Sequence, residues 1–168
     1  MPAAGIGRRI SVVLPAYNEE DNIEKQVSDV NDVLTAMRFD EFEILVVDDG
    51  SRDRTREVCE TLAASVPALR LLLHETNQGY ARALRTGFTS AAMPLVFYTD
   101  ADNQFDMREL KNLLAAIDDY DIVCGFRIYR FDPFSRLVLS WGYNLLVRIL
   151  FRIRVRDVDC AFKLFRRE

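Results

Sequence analysis

Five short apolar runs, four of them followed by a turn and a helix-period pattern, leave few architectures open to this chain. The runs are residues 9–14, 42–47, 69–73, 95–98 and 121–125, rich in Val, Ile and Leu. Continuous apolar runs of that length suit strands buried on both faces. Between them lie amphipathic segments. In the first, Ile23, Val27, Val30, Leu34 and Met37 repeat at spacings of four and three, a helix face ending near Arg38, with Asn18 placed to cap it and Pro15 placed to break the preceding strand. A second helix is expected over 54–64 behind Asp53, with Val58, Leu62 and Ala63 inward. A third, rich in small residues (Ala81, Ala83, Gly87, Ala91), follows the Asn77-Gln78-Gly79 turn. A fourth over 107–117 turns Leu110, Leu113, Leu114 and Ile117 inward. Strand and helix in alternation predict an α/β, Rossmann-like fold with a largely parallel central sheet and helices on both faces.

In such folds the carboxyl ends of the strands form the binding edge. Three polar loops fall there: residues 15–19, 48–53 and 100–104. The last carries Asp100 and Asp102 at the mouth of a buried strand, where two like charges call for a cation. Oxygen ligands of this kind suit Mg2+ or Mn2+, with phosphate oxygens completing the shell. No Gly-x-Gly-x-x-Gly follows the first strand; Pro15-Ala16-Tyr17 stands there instead, which disfavours a dinucleotide-dependent enzyme. The single His74 reads as structural or solvated.

At 168 residues the chain is long enough for one domain, 1–168, with residues 1–8 a loose lead-in. Charge is uneven: residues 1–126 hold 12 basic and 22 acidic groups, residues 127–168 hold 10 and 4. The acidic body argues against nucleic-acid binding, while the basic end calls for phosphate or a membrane surface. Three widely spaced Cys show neither metal spacing nor a disulfide framework, as expected in a reducing compartment. No signal peptide opens the chain and no run approaches the ~20 apolar residues that span a bilayer.

Residues 134–156 differ in character. Arg136, Ser140, Asn144, Arg148 and Arg152 form a polar ridge on a helix that is otherwise apolar from 137 to 151. A stripe this wide exceeds what one core contact needs, so the helix either lies in a membrane interface, with Trp141, Tyr143 and the Arg residues at headgroup level, or packs into a core or dimer. The chain then runs from Asp157 to Arg167, with no strand assigned there, and stops at Glu168 without a cap or tail, which is expected of a truncated C-terminus.

Several of these stretches together resemble family-2 glycosyltransferases of the GT-A fold: Val13-Leu14-Pro15-Ala16-Tyr17-Asn18-Glu19, Val46-Val47-Asp48-Asp49-Gly50-Ser51-Arg52-Asp53, Asn77-Gln78-Gly79 and Thr99-Asp100-Ala101-Asp102-Asn103-Gln104. Gly125-Phe126-Arg127 and residues 157–167 look like the C-terminal motifs of the dolichyl-phosphate mannose synthase-like branch, except that Cys160-Ala161 stands where that branch often has Ser-Gly. The resemblance implies an inverting transferase that moves a sugar, mannose or glucose, from a GDP- or UDP-sugar to a polyprenyl phosphate on the cytoplasmic face of a membrane. By the same resemblance Pro15, Tyr17 and Glu19 would hold the nucleoside, and Asp49 with Asp48 would reach the base or ribose. Asp100 and Ala101 would meet the ribose or sugar side, Asp102 with Gln104 the Mg2+ or Mn2+, and Arg127 and Arg136 the phosphates. Asp102, Arg127 and Arg136 would then act in catalysis, by stabilising charge on the departing diphosphate. A phosphate acceptor is already ionised and needs no strong base; a saccharide-extending transferase of the same fold would need one, and a nucleotide-sugar-binding domain without turnover would need neither.

Overall fold

The computed structural model describes residues 8–126, 134–151 and 157–167, with residues 134–140 described by backbone only. Strand β1 (Arg9–Ala16) leads through α1 (Ile23–Ala36) to β2 (Glu41–Asp48), and α2 (Thr55–Ser65) leads to β3 (Leu69–Leu73). Helix α3 (Tyr80–Ser90) returns the chain to β4 (Leu95–Thr99). A 3-10 turn (Met107–Glu109) and α4 (Leu110–Ala116) precede β5 (Ile122–Cys124), and α5 (Phe134–Phe151) precedes β6 (Phe162–Arg166). The strands make one sheet in the order β3-β2-β1-β4-β6-β5. The β1–β2, β2–β3 and β1–β4 pairs are parallel, while β6 runs antiparallel to both β4 and β5. The α/β architecture and largely parallel sheet are those expected.

Side-chain alternation along the strands divides the core in two. Ile10, Val12, Leu14, Ile44, Val46 and Phe97 pack under α1 and α4, against Ile23, Val27, Val30, Leu34, Leu110 and Leu114. Val13, Leu45, Val96 and Tyr98 face the other way, toward Ala91, Leu84 and Phe88. Burying one such side chain contributes roughly 1.5–3 kcal/mol before ordering entropy. Helix α3 lies close on β1 because Gly87 has no side chain: a Cβ there would stand 2.3 Å from Val13 Cγ1.

Two local expectations are corrected, and two further features emerge from the fold. Pro15 does not end β1, which runs on to Ala16; pairing with β4 stops at Val13, and beyond it a residue without an N–H is tolerated while β2 pairing continues. Asn18 does not cap α1, which begins at Ile23, because its φ of 57° places it in the left-handed region of a tight loop. Strand β6 has no counterpart among the five strands expected from the sequence. Its buried Phe162 and Leu164 alternate with Lys163 and Phe165 inside a basic stretch, and only insertion between β4 and β5 gives that pattern a partner. Of the polar ridge in α5, Asn144 is buried, its Oδ1 accepting the Val158 N–H at 2.8 Å, while Arg148 is exposed. Trp141, Tyr143, Leu145, Leu146, Ile149, Leu150 and Phe151 are also exposed. Among the described residues, no helix is long and apolar enough to cross a membrane.

Candidate active site

Strand order reverses between β1 and β4, since β2 and β3 extend the sheet one way and β4 the other. A crevice opens at such a point outside the carboxyl ends of the strands. Here it is a cleft of about 410 Å3. Seven of the residues singled out from sequence line it: Pro15, Tyr17 and Glu19 after β1, Asp49 after β2, and Asp100, Ala101 and Asp102 after β4. Ala16, Asn77, Gly79, Tyr80 and Ala83 complete the wall.

The loops after β1 and β2 interlock. The Asn18 N–H donates to Ser51 Oγ at 3.0 Å, and Asn18 Oδ1 accepts the Arg52 N–H at 2.9 Å. Glu19 N–H donates to Thr55 Oγ1, and Glu20 N–H to Asp53 Oδ2. Asp53 also takes the Thr55 N–H at 3.0 Å, so it closes the start of α2 as expected. Partial burial pulls its pKa upward, but the bonds from Thr55 and Glu20 outweigh that and hold it below the usual carboxylate value. Asp48 is not part of the cleft wall. It is buried, and its Oδ1 accepts the Ser51 N–H at 3.0 Å, a turn-closing role.

Asp49 is buried in the cleft wall and bonded on both oxygens. Oδ1 meets His74 Nδ1 at 2.6 Å and accepts the Gln78 N–H at 2.9 Å; Oδ2 accepts the Gly79 N–H at 2.8 Å. Burial would raise its pKa, yet the Gln78 N–H, the His74 ring and the Gly79 N–H together lower it. The far side of the His74 ring meets Thr86 Oγ1 on α3 at 2.9 Å, so this His is structural. Asp49 therefore clamps the loop before α3 onto the end of β2. Gly50 permits the approach: its φ is +70°, and a Cβ would lie 2.5–2.6 Å from the backbone of Thr76 and Asn77.

The loop after β4 holds the paired carboxylates. Asp100 Oδ1 accepts the Tyr80 hydroxyl at 2.7 Å. Asp102 Oδ1 accepts the Gln104 N–H at 3.1 Å, and its Oδ2 has no protein partner among the described residues. Between them and the first loop runs a relay absent from the sequence reading. Asn22 Nδ2 donates to Glu19 Oε2 at 2.8 Å, and Asn103 Nδ2 donates to Asn22 O at 3.1 Å. Asn103 sits at φ 58°, a conformation Asn tolerates better than most residues. A divalent cation fits this donor set. Asp100 and Asp102 stand together at the end of β4, and among the described residues no three His, Cys, Asp or Glu side chains are grouped to hold an ion. That suits an ion shared with ligand oxygens better than an all-protein cage.

Gln104 is exposed and lines a neighbouring hollow with Asp29, Asp32 and Asp106. Arg127 and Arg152 fall outside the described residues, as does the side chain of Arg136, whose backbone belongs to α5. Tyr80 and Asn77 were missed as wall residues. The signal for both was the Asn77-Gln78-Gly79 turn itself, which lands on the same strand edge as the three acidic loops.

Residues 11–168 match the family model for glycosyl transferase family 2. The chain belongs to that family. Among curated family relatives it is 37% identical to glycosyltransferase AglD of Haloferax volcanii over 99% of this chain and 28% of that protein. It is 29% identical to a dolichyl-phosphate beta-glucosyltransferase of Dictyostelium discoideum, over 95% of this chain and 54% of the relative. An undecaprenyl-phosphate 4-deoxy-4-formamido-L-arabinose transferase of Pseudomonas fluorescens is 32% identical, over 94% and 47%. The chain thus spans about half or less of the length of these three relatives. Two solved structures share the fold. Glucosyl-3-phosphoglycerate synthase from Mycobacterium tuberculosis, with Mn2+, UDP and phosphoglyceric acid, superposes with TM-score 0.73 at 24% identity over 98% of this chain and 58% of that one. A mannosyltransferase from Pyrobaculum calidifontis, with GDP-Man and Mn2+, gives 0.69 at 24%, over 99% and 47%.

Proposed function

We propose that this chain carries the donor site of an inverting glycosyltransferase that moves a hexose, glucose or mannose, from a nucleoside-diphosphate sugar to a polyprenyl phosphate at a membrane surface. The observation that carries it is the single cleft in which Tyr17, Glu19, Asp49, Asp100 and Asp102 meet. Tyr17, partly exposed, offers an aromatic face for a base. The carboxylates accept from base N–H and ribose hydroxyl groups. Asp102 would hold Mg2+ or Mn2+, while Gln104, which the resemblance also implied as a ligand, lines the neighbouring hollow. When bound, the ion would stabilise the negative charge that grows on the leaving diphosphate.

The acceptor class draws support from relatives named for dolichyl-phosphate and undecaprenyl-phosphate acceptors. The metal draws support from fold neighbours solved with Mn2+ and a nucleotide or nucleotide sugar. In this reading Arg127 and Arg136 face phosphates, since a guanidinium fork matches them. The exposed apolar face of α5 suits the headgroup zone and so peripheral attachment to the cytoplasmic face of a membrane. The test is turnover of a panel of GDP- and UDP-sugars with Mn2+ against a short polyprenyl phosphate and, separately, a free oligosaccharide, read by product mass. One hexose added to the lipid phosphate is expected. Transfer to the oligosaccharide alone would overturn the acceptor assignment.

A further inference from the structure

Asn is a favoured helix N-cap, and Asn22 stands at that position of α1, yet its side chain makes no capping bond. The Glu19 carbonyl serves there instead, accepting the N–H groups of Asn22 and Ile23 at 3.0 and 2.9 Å. The Asn22 amide joins two cleft loops. Its Nδ2 donates to Glu19 Oε2 at 2.8 Å. From the loop after β4, Asn103 Nδ2 donates to the Asn22 carbonyl at 3.1 Å and to Asn22 Oδ1 at 3.3 Å. An amide has one acceptor end and one donor end. A donor held on Oδ1 leaves Nδ2 for Glu19, so Asn103 fixes the sense of this bond. Glu19 lines the cleft, and its Oε1 has no protein partner among the described residues.

We propose that Asn22 is a positioning residue that aims the Glu19 carboxylate: it engages one oxygen and holds the other toward the nucleoside side of the donor. This rests on the donor-site reading above. Asn22 touches no donor atom in this role and acts through Glu19. Ordering a long carboxylate side chain before the ligand arrives removes a cost that binding would otherwise carry. A neutral amide suits the task. It satisfies one oxygen and leaves the negative charge in place, where an ammonium or guanidinium would neutralise it.

Asn22→Asp is the isosteric test. It sets a second carboxylate against Glu19, while a negative charge at a helix N-terminus favours α1 and so the fold. Calorimetric titration of GDP and UDP with Mn2+ should show about a tenfold loss of affinity for the nucleotide that wild type binds, the scale of a hydrogen bond to a charged group. The same substitution is then made in a Glu19→Gln background. There the new amide at 19 donates to the new carboxylate at 22, which restores the pair with its sense reversed. Asn22→Asp should change affinity by less than about twofold in that background. Asn22→Ala, which deletes the bond without adding charge, gives the same comparison should the Asp variant fold poorly: about a threefold loss with Glu19 present and none with Glu19→Gln. Equal losses in the two backgrounds would overturn the role, since a merely structural residue costs the same whatever stands at 19. Unchanged affinity in both single variants would overturn it too. Wild type that binds neither nucleotide would remove the donor-site reading, and this inference with it.

Discussion

Asp49 brings a negative charge into a buried position in the cleft wall and is kept ionised there by two backbone N–H groups and the His74 ring. Its folded pKa lies below its ordinary value, as do those of Glu43 and Asp53. In each case burial pushes the pKa up and hydrogen bonds more than reverse it. For a depressed carboxylate the stabilisation is complete above the unfolded pKa and is lost as pH falls through the folded one. Asp49→Asn is therefore expected to cost about 2 kcal/mol of unfolding free energy near pH 7, the worth of charge-assisted bonds to a buried group. The difference from wild type should narrow once pH falls below the ordinary Asp value of 3.8. Urea unfolding at a series of pH values measures it, and a pH-independent difference would contradict the clamp. At this scale the sequence showed which residues matter better than what each does. Asp48 and Asp49 are adjacent, so a strand must turn them to opposite sides, but only the β2 register settles that Asp48 closes the turn and Asp49 reaches the cleft. Asn18 read as a cap because Asn caps helices; its left-handed backbone makes it a loop staple instead. Glu43 gave no signal. It lies in a run that reads as a buried strand, yet it takes bonds from Ser11, Ala92 and Arg70 at the end of the sheet away from the cleft.

Strands β1, β2 and β4 and helices α1 and α4 were legible because each carries a long apolar pattern of one period. Element boundaries moved only where a loop imposed its own geometry. Strand β6 was not legible, since five alternating residues in a basic run have the same look as an exposed tail until the gap beside β4 is known. Helix α5 was half legible: its apolar breadth was plain, but which side touches the domain was not. Asn144 decides it, tying the helix to Val158 and leaving Trp141, Ile149, Leu150 and Phe151 outward. Each exposed aliphatic of that size is worth roughly 1.5–3 kcal/mol when it leaves water. The pair Ile149→Glu with Leu150→Glu is expected to lower binding to vesicles containing anionic lipid by more than about tenfold, measured by flotation. Nucleotide affinity should stay the same, because the cleft lies on other elements. Wild-type flotation by the double variant would contradict the interfacial assignment of α5.

For the whole molecule, one topological fact places the chemistry. Strand order reverses between β1 and β4, and the loops that follow β1, β2 and β4 are also the polar, carboxylate-bearing loops of the sequence. Position at the sheet edge turned Asp100-Ala101-Asp102 from a common loop triplet into part of a cleft that includes an aromatic and three other polar loops. Family membership agrees with that reading over residues 11–168. Calorimetric titration of GDP and UDP into the wild-type chain and Asp102→Ala, with Mn2+ and again with EDTA, tests the cleft most directly. Wild type should bind one of the two nucleotides tightly only when Mn2+ is present, and Asp102→Ala should lose about 30-fold in that affinity, near 2 kcal/mol. Equal Mn2+-dependent affinity in the two proteins would contradict a metal site at Asp102.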